Sequence, residues 1–388
     1  MFENQAIDIP LLQSRAFNLR WASVPADVIP LTAADPDFPI APAIKEAIIK
    51  YTIDGYFSYN DPLGYHPLKS ALASKYVTQY HTPYCPENVL PVNSAAFGIH
   101  LVCKTILNVG DEVIIFDPVD FLFKHAAEAA GAVTIPFAVS PSMIETDFSR
   151  MEVLITKKTK LICLCNPLNP IGKVFTHREL NKLAELAIKY NLTILSDEIW
   201  SDIVFDNRSF TPIASIHQEI FNRTITVTGF SKSFGLAGLR IGAVLAPDKK
   251  TFNNLYKHTE HQSTVEGCNI IGQVAAHAAL TQCGDWLAMF LDHLHQMRSL
   301  VVNGLQKIPG INCIPPEGCY VAFADIRGTG ISSEQMHQLL LNEAKVAVVP
   351  GLPAWFGTGA NGYIRLSFAT SSSILQHAIE NITKTLNP

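Results

Sequence analysis

Five short runs rich in Ile, Val and Leu recur through this 388-residue chain, and they constrain its fold more than any other feature. They are DEVIIFDP (111–118), KLICLCNP (160–167), LTILSDE (192–198), RTITVTG (223–229) and IGAVLAP (241–247). None shows the polar alternation of a half-exposed strand, so each reads as a strand buried on both faces. Amphipathic helix patterns lie between them. The clearest is THRELNKLAELAIKYN (176–191), with Leu180, Leu183, Leu186 and Ala187 on one face and a capping box of Thr176 and Glu179 at its entry. Strands alternating with helices predict βαβ units and a mainly parallel sheet, an α/β fold. Ligands bind such sheets at the carboxyl ends of the strands. Asp117, Asn166, Asp197 and Gly229 stand at those ends, so the site is expected there.

Past about residue 280 the pattern changes. A long helix (285–307) leads to a turn and strand in CIPPEGCYVAFADI (313–326), then to a helix in EQMHQLLLNEAK and a strand in GYIRLSFA. This predicts a smaller α+β domain. The expected division is an N-terminal segment, 1–47, joining that small domain, a large domain over 48–283, and the small domain over 284–388.

With 48% hydrophobic and 16% charged residues the chain can bury a large core. A net charge of −5 with both signs dispersed leaves no basic stripe, so no nucleic-acid partner is expected. No apolar run is long enough to span a membrane, and MFENQAIDIP lacks the regions of a signal peptide; no membrane partner and a cytoplasmic location are expected. The eight cysteines form no CxxC pair and read as small buried hydrophobes of a reducing compartment rather than metal ligands or disulfides. His258 and His261 have a spacing seen in metal sites but no ligating neighbour, and they read as a polar helix face. No metal is expected.

The stretch TGFSKSFGLAGLRIG (228–242) places a lysine and an arginine eight residues apart among glycine, serine and aliphatic side chains. Lys232, just past a buried strand, is either a desolvated nucleophile toward aldehydes or a surface lysine. Arg240 is either a fork for a phosphate or half of a structural ion pair. Asp197, closing LTILS, either meets a cationic ring nitrogen or caps the next helix. Asn169 sits in the stiff turn NPLNPIG (166–172), and Arg365 is a cation inside a strand pattern, able to bind a substrate carboxylate or a neighbouring acid. Singly, each remains ambiguous.

Together, NPLNPIG, SDEIW (196–200), GFSKSFGLAGLRIG and GYIRLSFA, in this order, resemble the class I/II aminotransferases, fold-type I enzymes dependent on pyridoxal 5′-phosphate (PLP). The resemblance runs from about residue 28 to the C-terminus. It implies a large domain with a mainly parallel seven-stranded sheet, a smaller α+β domain, and a homodimer with sites at its interface. It also implies transfer of an amino group from an L-amino acid to a 2-oxo acid. Carried over by position, Lys232 matches the Schiff-base lysine, which also moves the Cα proton. Asp197 matches the pyridinium partner, Asn169 the donor to the ring 3′-oxygen, and Arg240 the phosphate arginine. The backbone of Ser94, Ala95 and Ala96 would cradle the phosphate at a helix start. Tyr59 would reach the neighbouring subunit's phosphate, and Arg365, with Ala34 and Asn169, would hold the substrate.

Three positions depart from that pattern. Gly229 stands where many relatives have a phosphate-binding serine, leaving Ser231, Thr228 or Ser94 to compensate. Trp200 stands where many have a tyrosine bonding the 3′-oxygen. Asp120 occupies the position of the ring-stacking aromatic, leaving Phe121 or Phe123 to supply a ring face. ADPDFPIAP (34–42), DEIWSDIVFD (197–206) and FTPIAS (210–215) are similar instead to the cystathionine β-lyase branch. The alternative reaction is therefore carbon–sulfur β-elimination, releasing pyruvate, ammonia and a thiol. A ligand-sensing regulator is disfavoured, since no basic helix-turn-helix segment is attached. The substrate side chain is expected to meet Ala33–Phe38, Trp200 and the partner subunit near Tyr59.

Overall fold

The computed structural model describes residues 1–15, 18–263 and 267–387. Seven strands build the central sheet: β1 (Val89–Val92), β2 (Glu112–Asp117), β3 (Val133–Ala138), β4 (Thr159–Cys165), β5 (Thr193–Asp197), β6 (Thr224–Gly229) and β7 (Gly242–Leu245). Their spatial order is β1-β7-β6-β5-β4-β2-β3, and β7 alone runs antiparallel to its neighbours. The five apolar runs are the five interior strands. The two strands that the runs did not announce are the edges. Each carries a proline, Pro91 in β1 and Pro136 in β3, which a strand tolerates at an edge where its missing N–H breaks no ladder.

Helix α1 (Ala95–Ile106) starts directly after β1, α2 (Leu122–Ala129) follows β2, and α3 (His177–Lys189) follows β4. The α3 capping box forms in full: Glu179 N–H donates to Thr176 Oγ1 at 3.2 Å, and Thr176 N–H to Glu179 Oε2 at 2.8 Å. One apolar cluster joins Ile99, Val102, Phe123, Ala127 and Leu183 from these helices to Ile114, Ile162 and Ile225 of the sheet. A second joins Leu72 and Tyr76 of the helix His66–Tyr80 and Ala275 of the helix Ile270–Gln282 to the C-terminal part of the chain.

That C-terminal part holds a four-stranded antiparallel sheet in the order Val349–Pro350, Tyr363–Ser367, Val321–Asp325, Asn312–Cys313. The helices Gly284–Leu305 and Ser372–Leu386 pack with it. The helix in EQMHQLLLNEAK spans Ser333–Leu339 and continues as one wider turn, Leu340–Ala344. The N-terminal segment joins this region, because Ile29–Pro30 pairs in parallel with Val346–Ala347.

A buried ion pair then fixes the segment's path. Arg20 lies 3.2 Å from Asp37 Oδ2 and also donates to the carbonyls of Pro30 and Asp35. Trp21 Nε1 donates to Asp37 Oδ1 at 2.8 Å. Phe38 corrects the expected substrate wall. Its ring lies 5.0 Å from Phe2 and 5.1 Å from His293, packed in an aromatic cluster of the core. His261 is likewise buried rather than on a polar helix face, its Nδ1–H donating to Pro62 O.

Removing one partner of a buried pair strands the other charge. Asp37→Ala is therefore expected to lower unfolding stability by about 3–5 kcal/mol, read by denaturant titration. A loss below about 1 kcal/mol would contradict the anchoring role given to the pair.

Candidate active site

Strand β5 ends at Asp197 and β6 at Gly229, followed at once by the short helix α4 (Ser231–Phe234), which carries Lys232. Lys232 Nζ donates to the carbonyl of Ala34 at 2.7 Å and lies 5.3 Å from the centre of the Trp200 ring. Burial holds its amine below the ordinary lysine value, against the opposing pull of Asp35 and Asp120. Lys232 has no carboxylate at ion-pair distance among the described residues.

Asp197 pairs in register with Cys165 of β4 and Val227 of β6, so it is enclosed by neighbours on both sides. Its Oδ1 accepts from Ile199 N–H at 3.2 Å, a local bond of the capping kind. Burial pushes the carboxyl up to about 7, with Asp120 adding to the rise and Ile199 and Lys232 opposing it. Glu198 beside it is also pushed up to about 7 by burial, although Ser196 and Tyr76 both donate to it.

Arg365 sits mid-strand, opposite Phe323 and Val349. It reaches across to the large sheet, donating from Nη1 to Asn169 Oδ1 at 3.1 Å and from Nη2 to Thr32 O at 3.0 Å. Its buried Nε has no hydrogen-bond partner among the described residues. Desolvation lowers its affinity for protons, with Asp120 opposing. Asn169 in turn donates from Nδ2 to Asp120 Oδ2 at 2.9 Å. Lys232, Asp197, Asn169, Arg365, Trp200 and Ala34 are thus brought together, with Tyr320 as a further member. The Tyr320 hydroxyl donates to Ala34 O at 3.2 Å, and its ring lies 4.7 Å from Trp200.

A second group forms at the start of α1. Ser94 caps that helix, accepting from Phe97 N–H, and its Oγ also accepts from Arg240 Nη2 at 3.1 Å. Ala95 and Ala96 are the first two residues of the helix, where backbone N–H groups lack intrahelical acceptors. A Cβ at Gly242 would come within 2.5 Å of Ala95 N, so glycine is what lets β7 approach this helix start. Arg240 is exposed and pairs with no carboxylate among the described residues. Gly229 has a packing reason too: its Cβ would meet Ile199 at 3.2 Å and Ala95 at 3.3 Å.

Other expectations fall elsewhere. Asp117 accepts from Thr358 Oγ1 and Gly359 N–H, and Asn166 from Phe175 N–H, so both strand-end residues fasten loops. Phe123 lies in the core and cannot offer a ring face to a ligand. Phe121 is 40% exposed and meets Trp355 edge-on at 5.7 Å, bordering a 340 Å³ cavity between α2 and residues 353–358. Ser231 opens α4, and its side chain makes no hydrogen bond among the described residues; Ser94 is the serine bonded to Arg240. Tyr59 is 92% exposed. Sequence reading missed Thr32 and Tyr320, whose contributions are a backbone carbonyl and a hydroxyl reached only through the fold.

The family model for aminotransferases of class I and II matches residues 26–382. Aspartate aminotransferase of Pyrococcus horikoshii is 32% identical over 371 residues, covering 94% of this chain and 92% of that protein. A PLP-bound structure from Clostridium difficile 630 superposes with a TM-score of 0.91 at 27% identity, covering 99% and 100% of the two chains. Cystalysin of Treponema denticola, solved with PLP, gives 0.91 at 23% identity, covering 100% and 98%; at that identity it speaks for the fold.

A buried carboxyl whose folded value lies above its unfolded value holds an extra proton in the folded state. Its contribution to stability therefore falls as pH rises from about 4 toward 7. Ligand-free protein is expected to lose stability over that window, and Asp197→Asn to remove part of the slope. At pH 8 the variant should melt roughly a few degrees above ligand-free wild type. A lower melting temperature with an unchanged slope would contradict the assignment.

Proposed function

We propose, for a chain that belongs to the class I and II aminotransferase family and takes PLP, that Lys232 is the residue joined to the cofactor and the carrier of the substrate's Cα proton. When bound, PLP supplies an aldehyde that takes up the amino group and a ring that withdraws electrons from Cα. Three observations support the fit of this pocket to that group. Asp197 is buried with no cationic partner in contact among the described residues, and a pyridinium N–H would provide one. The start of α1, with Ser94 and Arg240 converging, offers backbone N–H groups and a guanidinium to a phosphate. Lys232 is held where burial favours the neutral, nucleophilic amine.

The remaining roles follow from contacts. Arg365, with an unpartnered Nε and one polar contact on each Nη, would bind the α-carboxylate. Asn169 has one Nδ2–H beyond the one given to Asp120, and would offer it to the ring oxygen. The carbonyl of Ala34 would orient the Lys232 amine while it moves the proton. Trp200 and Tyr320 would wall the substrate pocket and exclude water. The observation that carries the reading is the meeting of Lys232 and Arg365, 133 residues apart in sequence, around Ala34 and Thr32 of one short segment.

A homodimer is part of the proposal. Ile53, Tyr56, Phe57 and Tyr59 form an exposed apolar stretch. Asn60, next to Tyr59, donates to Cys268 O, and the Cys268 thiol bonds Val92 O two residues before Ser94. A second chain packed on this turn would lie close to the Ser94 cradle. The division at 47/48 and 283/284 is proposed with it, supported by the pairing of residues 29–30 with 346–347. So is a reducing, cytoplasmic setting, since all eight cysteines are free.

The expected outcome is one equivalent of 2-oxo acid per site when the PLP-loaded protein meets its amino acid without an acceptor, and no product from Lys232→Ala. Pyruvate and ammonia accumulating over many turnovers would overturn transfer in favour of β-elimination. Undiminished turnover by Lys232→Ala would overturn the lysine's role.

A further inference from the structure

The turn after β2 brings a carboxylate into the site where the resemblance led to an expected ring. Asp120 Oδ2 accepts from Asn169 Nδ2 at 2.9 Å, and its Oδ1 from Leu122 N–H at 3.2 Å. Asn169 Oδ1 accepts from Arg365 Nη1 at 3.1 Å. The result is an unbroken line of carboxylate, amide and guanidinium across the gap between the two sheets. Chemistry gives that line one polarity. A carboxylate only accepts, a guanidinium only donates, and an amide does one at each end. With Asp120 on one side and Arg365 on the other, the Asn169 amide has a single orientation, and its remaining Nδ2–H is fixed in direction.

The same carboxylate also balances the guanidinium. Arg365 is buried, and no acid lies at ion-pair distance from it among the described residues; Asp120 is the acid whose charge most favours its protonated form. Without Asp120, the amide could flip its NH₂ toward the arginine and leave Nη1 facing a donor.

We propose that Asp120 is a positioning residue of the transfer reaction: through Asn169 it fixes the Arg365 guanidinium for the substrate carboxylate and the free Asn169 Nδ2–H for the cofactor oxygen. This rests on the reading of Lys232 and Arg365 given above. A second consequence comes from charge alone. The charged groups around Lys232 are Asp35 from the N-terminal segment, Asp120, Arg365 and Asp197. Asp120 is thus one of three carboxylates favouring a proton on the Lys232 nitrogen. Its removal should make that nitrogen more acidic.

The test uses the PLP-loaded full chain and compares wild type, Asp120→Ala and Asp120→Asn. Asp120→Ala is expected to raise KM for the amino acid roughly tenfold or more, the loss of an interaction network held by a charged hydrogen bond. It should also lower the pH midpoint of the cofactor absorbance titration by about 1 unit. Asp120→Asn, neutral but still able to accept from Asn169, should restore KM to within about twofold while keeping the lowered midpoint. That split separates orientation from charge, and a merely structural carboxylate would not produce it. Wild-type KM and midpoint in Asp120→Ala would overturn the proposal, as would a KM raised equally in both variants with an unmoved midpoint. If Asp120→Ala does not fold, the midpoint in Asp120→Asn decides: a wild-type value overturns the charge effect and with it the proposal. Failure of wild type itself to transfer an amino group would count against the underlying reading instead.

Discussion

Desolvation of the half-buried Lys232, with no carboxylate in contact among the described residues, is the constraint on which the rest of the site depends. An amine in that position loses hydration, and the loss is tolerable only if a fixed acceptor replaces some of it. The acceptor is the carbonyl of Ala34, contributed by a segment nearly 200 residues away. That segment must therefore be held as firmly as the sheet edge it faces. The Arg20–Asp37 pair, the Trp21 bond and the parallel pairing of residues 29–30 with 346–347 hold it. The same stretch presents Thr32 O to Arg365. One short piece of backbone thus positions both the amine and the guanidinium, and the small sheet and the large sheet are registered against each other through it.

Asp197 and Asp120, the acids of the site, are kept from direct ion pairs among the described residues. Among the described residues, Asp197 accepts from a backbone N–H alone, Asp120 reaches Arg365 through an amide, and Arg365 Nε has no partner. Unpartnered buried charge costs stability, and sites that do chemistry are where such cost is retained. On the reading proposed above, a cationic ring nitrogen and a substrate carboxylate would supply the counter-charges. By contrast, other charged groups that hold the fold are paired directly. Examples are Lys173 with Glu179 at 3.0 Å, and Arg298 with Asp206.

How much of this was legible in the sequence follows from which physical signal each part carries. Interior strands buried on both faces leave continuous apolar runs, and all five were readable. The edge strands β1 and β3 carry Pro91 and Pro136, so their signal was masked by the feature that suits them to an edge. Lys232, Asp197, Asn169, Arg240 and Arg365 were legible because motifs in fixed order single them out. What was not legible is where a polar strand-end residue points. Asp117 and Asn166 stand at the same sheet edge as Asp197 yet bond to loops. Phe38 looked like a pocket wall because its partners, Phe2 and His293, are distant in sequence. Asp120 looked like a misplaced charge until its neighbours Asn169 and Arg365 were in view.

The central claim, that Lys232 is the residue joined to the cofactor, has a direct chemical readout. The PLP-loaded wild-type protein would be reduced with borohydride, digested with trypsin and analysed by mass spectrometry. The account predicts a pyridoxyl-phosphate mass on Lys232, which blocks cleavage there and yields a single peptide spanning residues 224–240. The added mass on another lysine, or on none, would contradict it.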